Sequence, residues 1–149
     1  MILEIRTHPD PVLRMSYFPV MEIDDKFRML VEDMIETMQS AGGVGLAAPQ
    51  VGRRQTFFVM DWDGPQVFIN PEIELVGKRV LGKEGCLSLP GGQYIVPRAL
   101  SVKVRATDLN GFTFDLGASG TPAIIIQHEV DHLRGRLLID YPKPTRRRR

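Results

Sequence analysis

The sequence predicts an α+β fold in which mostly antiparallel sheets pack around a central helix, with one further amphipathic helix near the N-terminus. Apolar residues recur at helical spacing over residues 24–41. Short β-branched and aromatic segments, bounded by Gly, Asn and Asp, follow over residues 56–116. A second helical pattern covers residues 122–134. We expect residues 1–141 to form a single domain and residues 142–149 a short Pro/Arg-rich tail.

The composition is that of an ordinary globular protein. The 149 residues are 43% hydrophobic and 25% charged, which is enough for one core. Apolar runs are too short to cross a bilayer and the N-terminus has no secretory apolar core, so we expect no membrane association. Cys86 is the only cysteine, which excludes an internal disulfide and suits a reducing compartment. We therefore expect a cytoplasmic protein.

The N-terminal part begins with an extended arm that leads into the first helix. Residues 1–20 contain three prolines and are expected to be irregular, with His8 on the surface. Asp24 or its neighbour can cap a helix that runs to Ala41, because apolar residues recur there at helical spacing and Gly42 follows.

A segment of small residues, Gly43–Gly52, leads from this helix into the first strands. Glycine and alanine let the backbone approach another group closely. Composition alone leaves two interpretations open, a tight packing loop or a loop that lines a substrate. The Gly-Lys-Ser/Thr ending of a phosphate-binding loop is missing, which excludes that function.

Strand patterns fill the middle of the chain. A turn at Asp63–Pro65 joins the first two strands, and Asn110–Gly111 is a strong hairpin signal between the last two. The predicted strands are Thr56–Asp61, Gln66–Asn70, Glu72–Val80 (ending near Gly82), Ser101–Asp108 and Phe112–Leu116.

The second helix carries the chemistry. Its core reads IIIQHEVDHLRG, and His128 and His132 lie four residues apart, on one helical face. Glu129 adjoins them and completes an H-E-x-x-H motif, which provides two metal ligands and a general base. The expected boundaries are Thr121 as the cap, Pro122 as the first helical residue, Arg134 as the last and Gly135 as the stop signal.

The motif requires a third ligand if it is to form a catalytic metal site. Burying histidines without partners costs free energy, and a metal ion would remove most of that cost. The alternative interpretation is a core helix whose histidines form hydrogen bonds and bind no metal. The metzincin position for a third histidine is Leu138, which cannot bind metal. Cys86 is either an inert core residue or the third ligand, and the two-histidine helix favours ligation.

Three stretches, taken together, match one family. GVGLAAPQ at Gly43–Gln50, EGCLS at Glu84–Ser88 and HEVDH at His128–His132 resemble, in order and approximate spacing, the three signatures of peptide deformylases. The flanking stretches DPVLR, INPEI, VPRA and DLNG match as well, so the resemblance covers about residues 5–141. One motif would be weak, because H-E-x-x-H recurs on unrelated folds, but three together are specific.

The resemblance implies a metal-dependent hydrolase that removes the N-formyl group from N-formylmethionine of nascent polypeptides and releases formate. Cys86, His128 and His132 would hold one divalent ion, natively Fe²⁺, with Zn²⁺, Ni²⁺ or Co²⁺ able to substitute. Glu129 would take a proton from water and pass it to the leaving amine.

The resemblance also assigns supporting residues. The side-chain amide of Gln50 and the backbone N–H of Leu87 would meet the oxygen that becomes negative during the reaction. Arg98 would pair with Glu84 and hold the cysteine segment in place. The methionine side chain of the substrate would be bound by Val44, Ile124 and Ile125, and Gly45 is expected to bind the substrate as well. Asp131, whose role the resemblance does not assign, is expected to be a structural carboxylate.

Some features depart from the family pattern. The turn after Asp61 is shorter than in many members, and Thr121–Pro122 replaces an apolar pair before the metal helix. Few residues follow Tyr141, so the chain resembles a compact form that lacks the C-terminal helix, as virus-encoded versions do. Arg146–Arg149 are expected to contact ribosomal RNA transiently, although a solvated end or an artefact explains them equally well. We expect a monomer in the bacterial cytoplasm, or in that of the host if the chain is virus-encoded.

Two rival functions share part of this pattern. An H-E-x-x-H metallopeptidase would have the same helix, but the cysteine ligand and the Gln50 segment favour a deformylase. A non-catalytic metal-stabilised binding protein would have no use for Glu129 beside an open coordination position.

Overall fold

The computed structural model describes residues 1–143 and has an α+β fold, as predicted. The strands are β1 (Gly45–Ala47), β2 (Phe57–Asp61), β3 (Pro65–Cys86), β4 (Leu89–Thr107) and β5 (Thr113–Ser119), and the helices are α1 (Asp25–Ser40) and α2 (Thr121–His132). The five strands form an antiparallel sheet in sequence order. The predicted RNA-contacting tail, Arg146–Arg149, lies outside the described residues.

The sheet carries one α-helix on each face. Phe57 and Val59 of β2 pack with α1, whereas Phe58 and Met60 point to the opposite face and pack with α2, because successive side chains of a strand alternate between faces. All four side chains are at most 2% exposed. Two apolar cores therefore share the sheet, and α2 packs mainly on β4 and β1.

Side-chain chemistry sets the ends of α1. Oδ1 of Asp24 accepts a hydrogen bond from the backbone N–H of Phe27 at 2.9 Å, which caps the first turn. Val31 and Met34, on the apolar face, are completely buried. Beyond the helix, Gly42 has a φ of +70°, a conformation that glycine adopts at little cost.

The strand leading to Cys86 is longer than predicted. The end predicted near Gly82 is wrong, since β3 continues to Cys86. Its partner β4 begins at Leu89, well before the predicted start at Ser101, and the pairing extends to Cys86 opposite Leu89. Glycines and prolines obscure the strand pattern here, and they are tolerated because this ribbon has only two strands. The ribbon places Cys86 at its tip.

The boundaries of α2 also differ from the prediction. Thr121 is the first helical residue and not the cap, and Gly120, with a φ of +69°, precedes it. The α-helix ends at His132 and not at Arg134, because the last backbone groups form tighter turns before Gly135, whose φ is +71°. Both histidines of the motif remain within the helix.

The N-terminal arm lies across two loops of the candidate site. A short 3₁₀ helix, Pro11–Arg14, interrupts it. The backbone N–H of Arg6 donates to the carbonyl of Gln50 at 2.7 Å, and that of His8 donates to the carbonyl of Ser88 at 2.9 Å. The His8 side chain is exposed, as predicted. No helix among the described residues is long and apolar enough to span a membrane.

Candidate active site

A pocket of about 520 Å³ opens where α2, the Gly43–Gly52 segment and the tip of the β3–β4 ribbon meet. His132 and Arg98 lie behind its wall and are buried. Pro90 and Gly91 line it as well, and no motif pointed to them beyond their position just after the cysteine. The predicted site residues that line the pocket are Val44, Gly45, Gln50, Glu84, Cys86, Leu87, Ile124, Ile125, His128 and Glu129.

Cys86, His128 and His132 converge beside this pocket. One potential ligand atom from each lies within 4.8 Å of the other two, and Sγ of Cys86 is 3.3 Å from Nε2 of His132. A tetrahedral zinc ion with ordinary Zn–S and Zn–N bonds would hold such a pair of atoms about 3.6 Å apart. One thiolate with two imidazoles is a donor set that suits divalent transition metals. The three side chains therefore fit a single metal ion.

A buried glutamine fixes α2 to the β3–β4 ribbon that carries Cys86. Gln127 precedes His128 in α2 and is 5% exposed. Its side-chain oxygen accepts from the backbone N–H of Ala99 at 2.9 Å, and its amide nitrogen donates to the carbonyl of the same residue at 2.9 Å. Since Ala99 belongs to β4, these two bonds hold the histidines at a fixed distance from the ribbon. No sequence motif indicated this role of Gln127.

An ion-pair network holds the second nitrogen of His128. Nδ1 lies 2.9 Å from Oε1 of Glu84, which leaves Nε2 for an ion. Arg98 is 3% exposed and donates to both oxygens of Glu84, at 2.8 and 2.9 Å. The same guanidinium donates to Oδ2 of Asp131 at 2.7 Å, and the hydroxyl of Tyr141 donates to that oxygen at 2.6 Å. The sequence motifs did not indicate that Tyr141 belongs to this network.

Glu129 is a buried carboxylate in the same helix as the two histidines. It is 3% exposed, and its Oε1 has no hydrogen-bond partner among the described residues. Nδ1 of His132 is likewise buried without a partner there. A buried carboxylate oxygen without a partner is costly for stability, and in a reactive pocket it is free to accept a proton from a bound reactant.

Comparisons with known proteins identify the family. A family model described as polypeptide deformylase matches residues 2–148. The chain belongs to the polypeptide deformylase family. The deformylase of Dictyoglomus turgidum is 49% identical over 141 residues, covering 94% of this chain and 92% of that protein. The deformylase structure from Thermotoga maritima superposes with a TM-score of 0.94 at 43% identity, covering 97% of this chain and 99% of that one.

A second solved deformylase carries a peptide. A class I type b peptide deformylase from Acinetobacter baumannii, solved with Met-Ala-Ser bound, has a TM-score of 0.90 to this chain at 33% identity, covering 94% of this chain and 98% of that one. Polypeptide deformylases are metal-dependent enzymes that remove the N-formyl group from nascent peptides, and this chain is such an enzyme. The resemblance found in three motifs is thereby confirmed, and the metallopeptidase and binding-protein alternatives are set aside.

Gln50 of this deformylase is held by backbone and side-chain contacts. It is 1% exposed, and its Oε1 accepts from the backbone N–H of Ala47 at 2.9 Å. Its Nε2 donates to Oγ of Ser88 at 3.1 Å and lies 3.5 Å from Sγ of Cys86. The acceptor contact fixes which end of the amide faces the cysteine, so the donor end points toward the pocket.

Burial and neighbouring charges shift the pKa values in the deformylase pocket. Burial lowers the pKa of His128, but Glu129, Cys86 and Glu84 together raise it to about 10. Burial raises the pKa of Glu129 to about 7, although the charge of His128 opposes this. The pKa of His132 is well below its ordinary value because of burial and the nearby charge of His128. A histidine must be neutral to bind a cation, so an ion held by both rings would displace the His128 proton.

Proposed function

We propose that Cys86, His128 and His132 hold the metal ion of this deformylase and that α2 is its metal-binding helix. The observation that carries the proposal is the convergence of one sulfur and two ring nitrogens within 4.8 Å of one another, beside the buried carboxylate of Glu129. When bound, the ion supplies a Lewis acid and lowers the pKa of water in its coordination sphere. We expect Fe²⁺ as the native ion, with Zn²⁺, Ni²⁺ or Co²⁺ as substitutes, because these donors accept all four.

Glu129 moves the proton in this proposal. The Oε1 atom of Glu129 is buried at the pocket without a partner among the described residues. The ionised carboxylate can take a proton from the attacking water. As the oxygen–carbon bond forms and the formyl carbon–nitrogen bond breaks, the same carboxyl passes that proton to the departing amine nitrogen.

Gln50 and Leu87 stabilise the oxygen that becomes negative. The bond between Oε1 of Gln50 and the N–H of Ala47 presets the direction in which Nε2 points. Leu87 lines the pocket one residue after Cys86, and we assign its backbone N–H to the same oxygen. Donors held in place before the reaction lower the barrier more than donors that must be recruited.

The apolar wall of the pocket recognises the methionine side chain. Val44, Ile124 and Ile125 line it, and Val44 is 52% exposed whereas Ile125 is 7% exposed. The lack of a side chain at Gly45 leaves room for the carboxylate of Glu129, and Gly45 lines the pocket, where we place the substrate backbone. The related A. baumannii enzyme was solved with a peptide that begins with methionine, which supports this assignment. A methylene more or less is worth about 1–3 kcal/mol in such a pocket, so Met is preferred but not exclusively required.

A turnover assay with metal analysis tests the proposal. Protein purified without oxygen should contain about one divalent ion per chain, release formate from formyl-Met-Ala-Ser, and leave the peptide bonds of an unformylated control peptide intact. Replacing Cys86, His128 or His132 one at a time with alanine should remove the ion and the activity together. Retention of the ion in any of these three variants contradicts the assignment of that ligand.

The remaining assignments rest on sequence. We propose residues 1–141 as the catalytic domain of a cytoplasmic monomer and the basic tail as a transient contact with ribosomal RNA. The tail ends in four arginines, and phosphate contacts predict binding that weakens steeply with salt. Removing residues 144–149 should reduce ribosome cosedimentation at low salt, and unchanged cosedimentation contradicts the proposal.

A further inference from the structure

The buried ion-pair network behind the metal site contains a residue from the C-terminal segment. Tyr141 follows a short 3₁₀ helix, Leu138–Asp140, and its ring is half-buried. Its hydroxyl donates to Oδ2 of Asp131 at 2.6 Å and lies 3.2 Å from Nη1 of Arg98. The guanidinium of Arg136 stacks over the outer ring face at 3.9 Å from the centroid. These contacts fix both the plane and the hydroxyl of Tyr141.

Asp131 and Glu84 both accept hydrogen bonds from the guanidinium of Arg98. Glu84 takes Nε and Nη2 of Arg98, at 2.8 and 2.9 Å, and Asp131 takes Nη1 at 2.7 Å. The bidentate pair with Glu84 fixes the plane of the rigid guanidinium, and Asp131 holds its remaining edge. Without the bond from Asp131, Nη1 of this buried cation keeps only the Tyr141 hydroxyl as a partner, so Arg98 and the Glu84 carboxylate are held less firmly.

Glu84 passes this orientation to a metal ligand. Its Oε1 accepts from Nη2 of Arg98 and also lies 2.9 Å from Nδ1 of His128. A hydrogen bond at the second nitrogen of a ligand imidazole fixes the tautomer and the ring plane. The connected chain therefore runs from Tyr141 through Asp131, Arg98 and Glu84 to His128.

We infer that Tyr141 and Asp131 are positioning residues for the metal centre, acting through Arg98 and Glu84 on the ring of His128. The inference rests on the proposed role of His128 as a metal ligand. Asp131 is placed for this role because it lies on α2 between the two ligand histidines. Tyr141 anchors the end of the domain to the same carboxylate oxygen that binds Arg98.

A purely structural role predicts different behaviour. Tyr141 also packs in the small apolar cluster with Leu89, Val96 and Leu138, so losing the whole ring would destabilise the fold whatever the hydroxyl does. Tyr141→Phe removes only the hydroxyl and keeps this packing. Asp131→Asn keeps an oxygen that can accept from Arg98 but removes its charge. Both changes therefore act on the network and spare the core.

The chain supplies matched controls for both variants. Tyr17 also makes two hydrogen bonds through its hydroxyl, from the N–H of Met15 and to the carbonyl of Val12, away from the metal site. Asp115 pairs with Arg105 on the surface of the sheet. Tyr17→Phe and Asp115→Asn thus repeat the same chemical changes outside the network.

Cobalt-loaded protein provides a readout apart from activity. The visible Co²⁺ spectrum reports ligand geometry, and its loss in excess EDTA gives the dissociation rate. We expect Tyr141→Phe and Asp131→Asn to release Co²⁺ about 10–100 times faster than wild type and to lower kcat with little change in KM, while both controls match wild type.

Dissociation rates in both network variants equal to those of the controls overturn the inference while leaving the metal site intact. If Asp131→Asn fails to fold by circular dichroism, Tyr141→Phe alone decides, since its packing is unchanged. Failure of the wild-type protein to take up Co²⁺ overturns the proposed metal site, and the inference with it.

Discussion

Gly45 lies directly against the carboxylate of Glu129, so that a Cβ atom at position 45 would be 2.8 Å from Cδ of Glu129. Gly45 belongs to β1 and is paired with Met60 of β2, which prevents its backbone from moving aside. Val44, next to it, accepts a hydrogen bond from the N–H of Asp61 at 2.8 Å. The glycine is therefore required by the position of the carboxylate and not by a turn.

Gly45→Ala should push Glu129 out of place and reduce kcat. A displacement of about 1 Å in a reacting group can cost about 100-fold in rate, so we expect a loss of about 10–100-fold with a smaller effect on thermal stability. Gly117→Ala is the control, because a Cβ there meets nothing within 4 Å. Equal kcat values for Gly45→Ala and the control contradict this role for Gly45.

Glu129→Gln should abolish proton transfer while leaving the metal ligands unchanged. General acid–base catalysis contributes about 10²–10⁴-fold, so formate release should fall by that factor at constant metal content. The measurement is kcat for formyl-Met-Ala-Ser, with metal analysis on the same sample. Near wild-type turnover would remove Glu129 from the mechanism.

The stability of protein freed of metal by a chelator should reveal the raised pKa of Glu129. Burial raises this pKa to about 7 from an ordinary value of 4.5. The folded state then binds the proton more tightly than the unfolded state, so the stabilisation from this group is complete below its unfolded pKa and is lost as pH rises through 7. Glutamine has no such dependence, and without the charge of Glu129 the pKa of His128 is raised less. Both effects act in the same direction, so between about pH 5 and pH 8 the variant should gain a few kcal/mol relative to wild type.

Urea unfolding of the metal-free wild type and Glu129→Gln at these two pH values measures the effect. The difference in unfolding free energy between the two proteins should move in favour of the variant at the higher pH. A difference that is the same at both pH values, or that moves the other way, contradicts a raised pKa for Glu129.

Gln50→Ala should damage turnover more than folding. Loss of one donor to a developing negative oxygen typically costs about 2.7–4 kcal/mol of barrier, which is about 10²–10³ in kcat. The buried contact to the N–H of Ala47 is lost as well, so a modest fall in Tm is expected. If kcat stays within error of wild type while Tm falls, Gln50 is a structural residue only.

The sequence predicted both helices from local patterns, and it singled out the three side chains that the structure brings together. Asp24 and Gly42 mark the ends of α1 through capping chemistry and backbone conformation. His128 and His132 share a face because four residues span about one helical turn. Cys86 was singled out because it is the only thiol in the chain.

The features that the sequence did not predict depend on contacts between residues that are distant in the chain. Glycines and prolines between Gly82 and Pro97 hid the long ribbon, since strand periodicity cannot be read through them. Tyr141 meets Arg98 across 43 positions of sequence, and Gln127 meets Ala99 across 28. No local spacing rule predicts contacts between residues so far apart in sequence.

The most direct test of the account is X-ray absorption at the metal edge of protein purified without oxygen. One sulfur and two imidazoles around the ion, in a sample that releases formate from formyl-Met-Ala-Ser, is the predicted result, and Cys86→Ser should remove the sulfur signal. An active sample whose metal has no sulfur neighbour, or a sulfur signal that survives Cys86→Ser, would contradict the assignment of Cys86, His128 and His132 as the ligands.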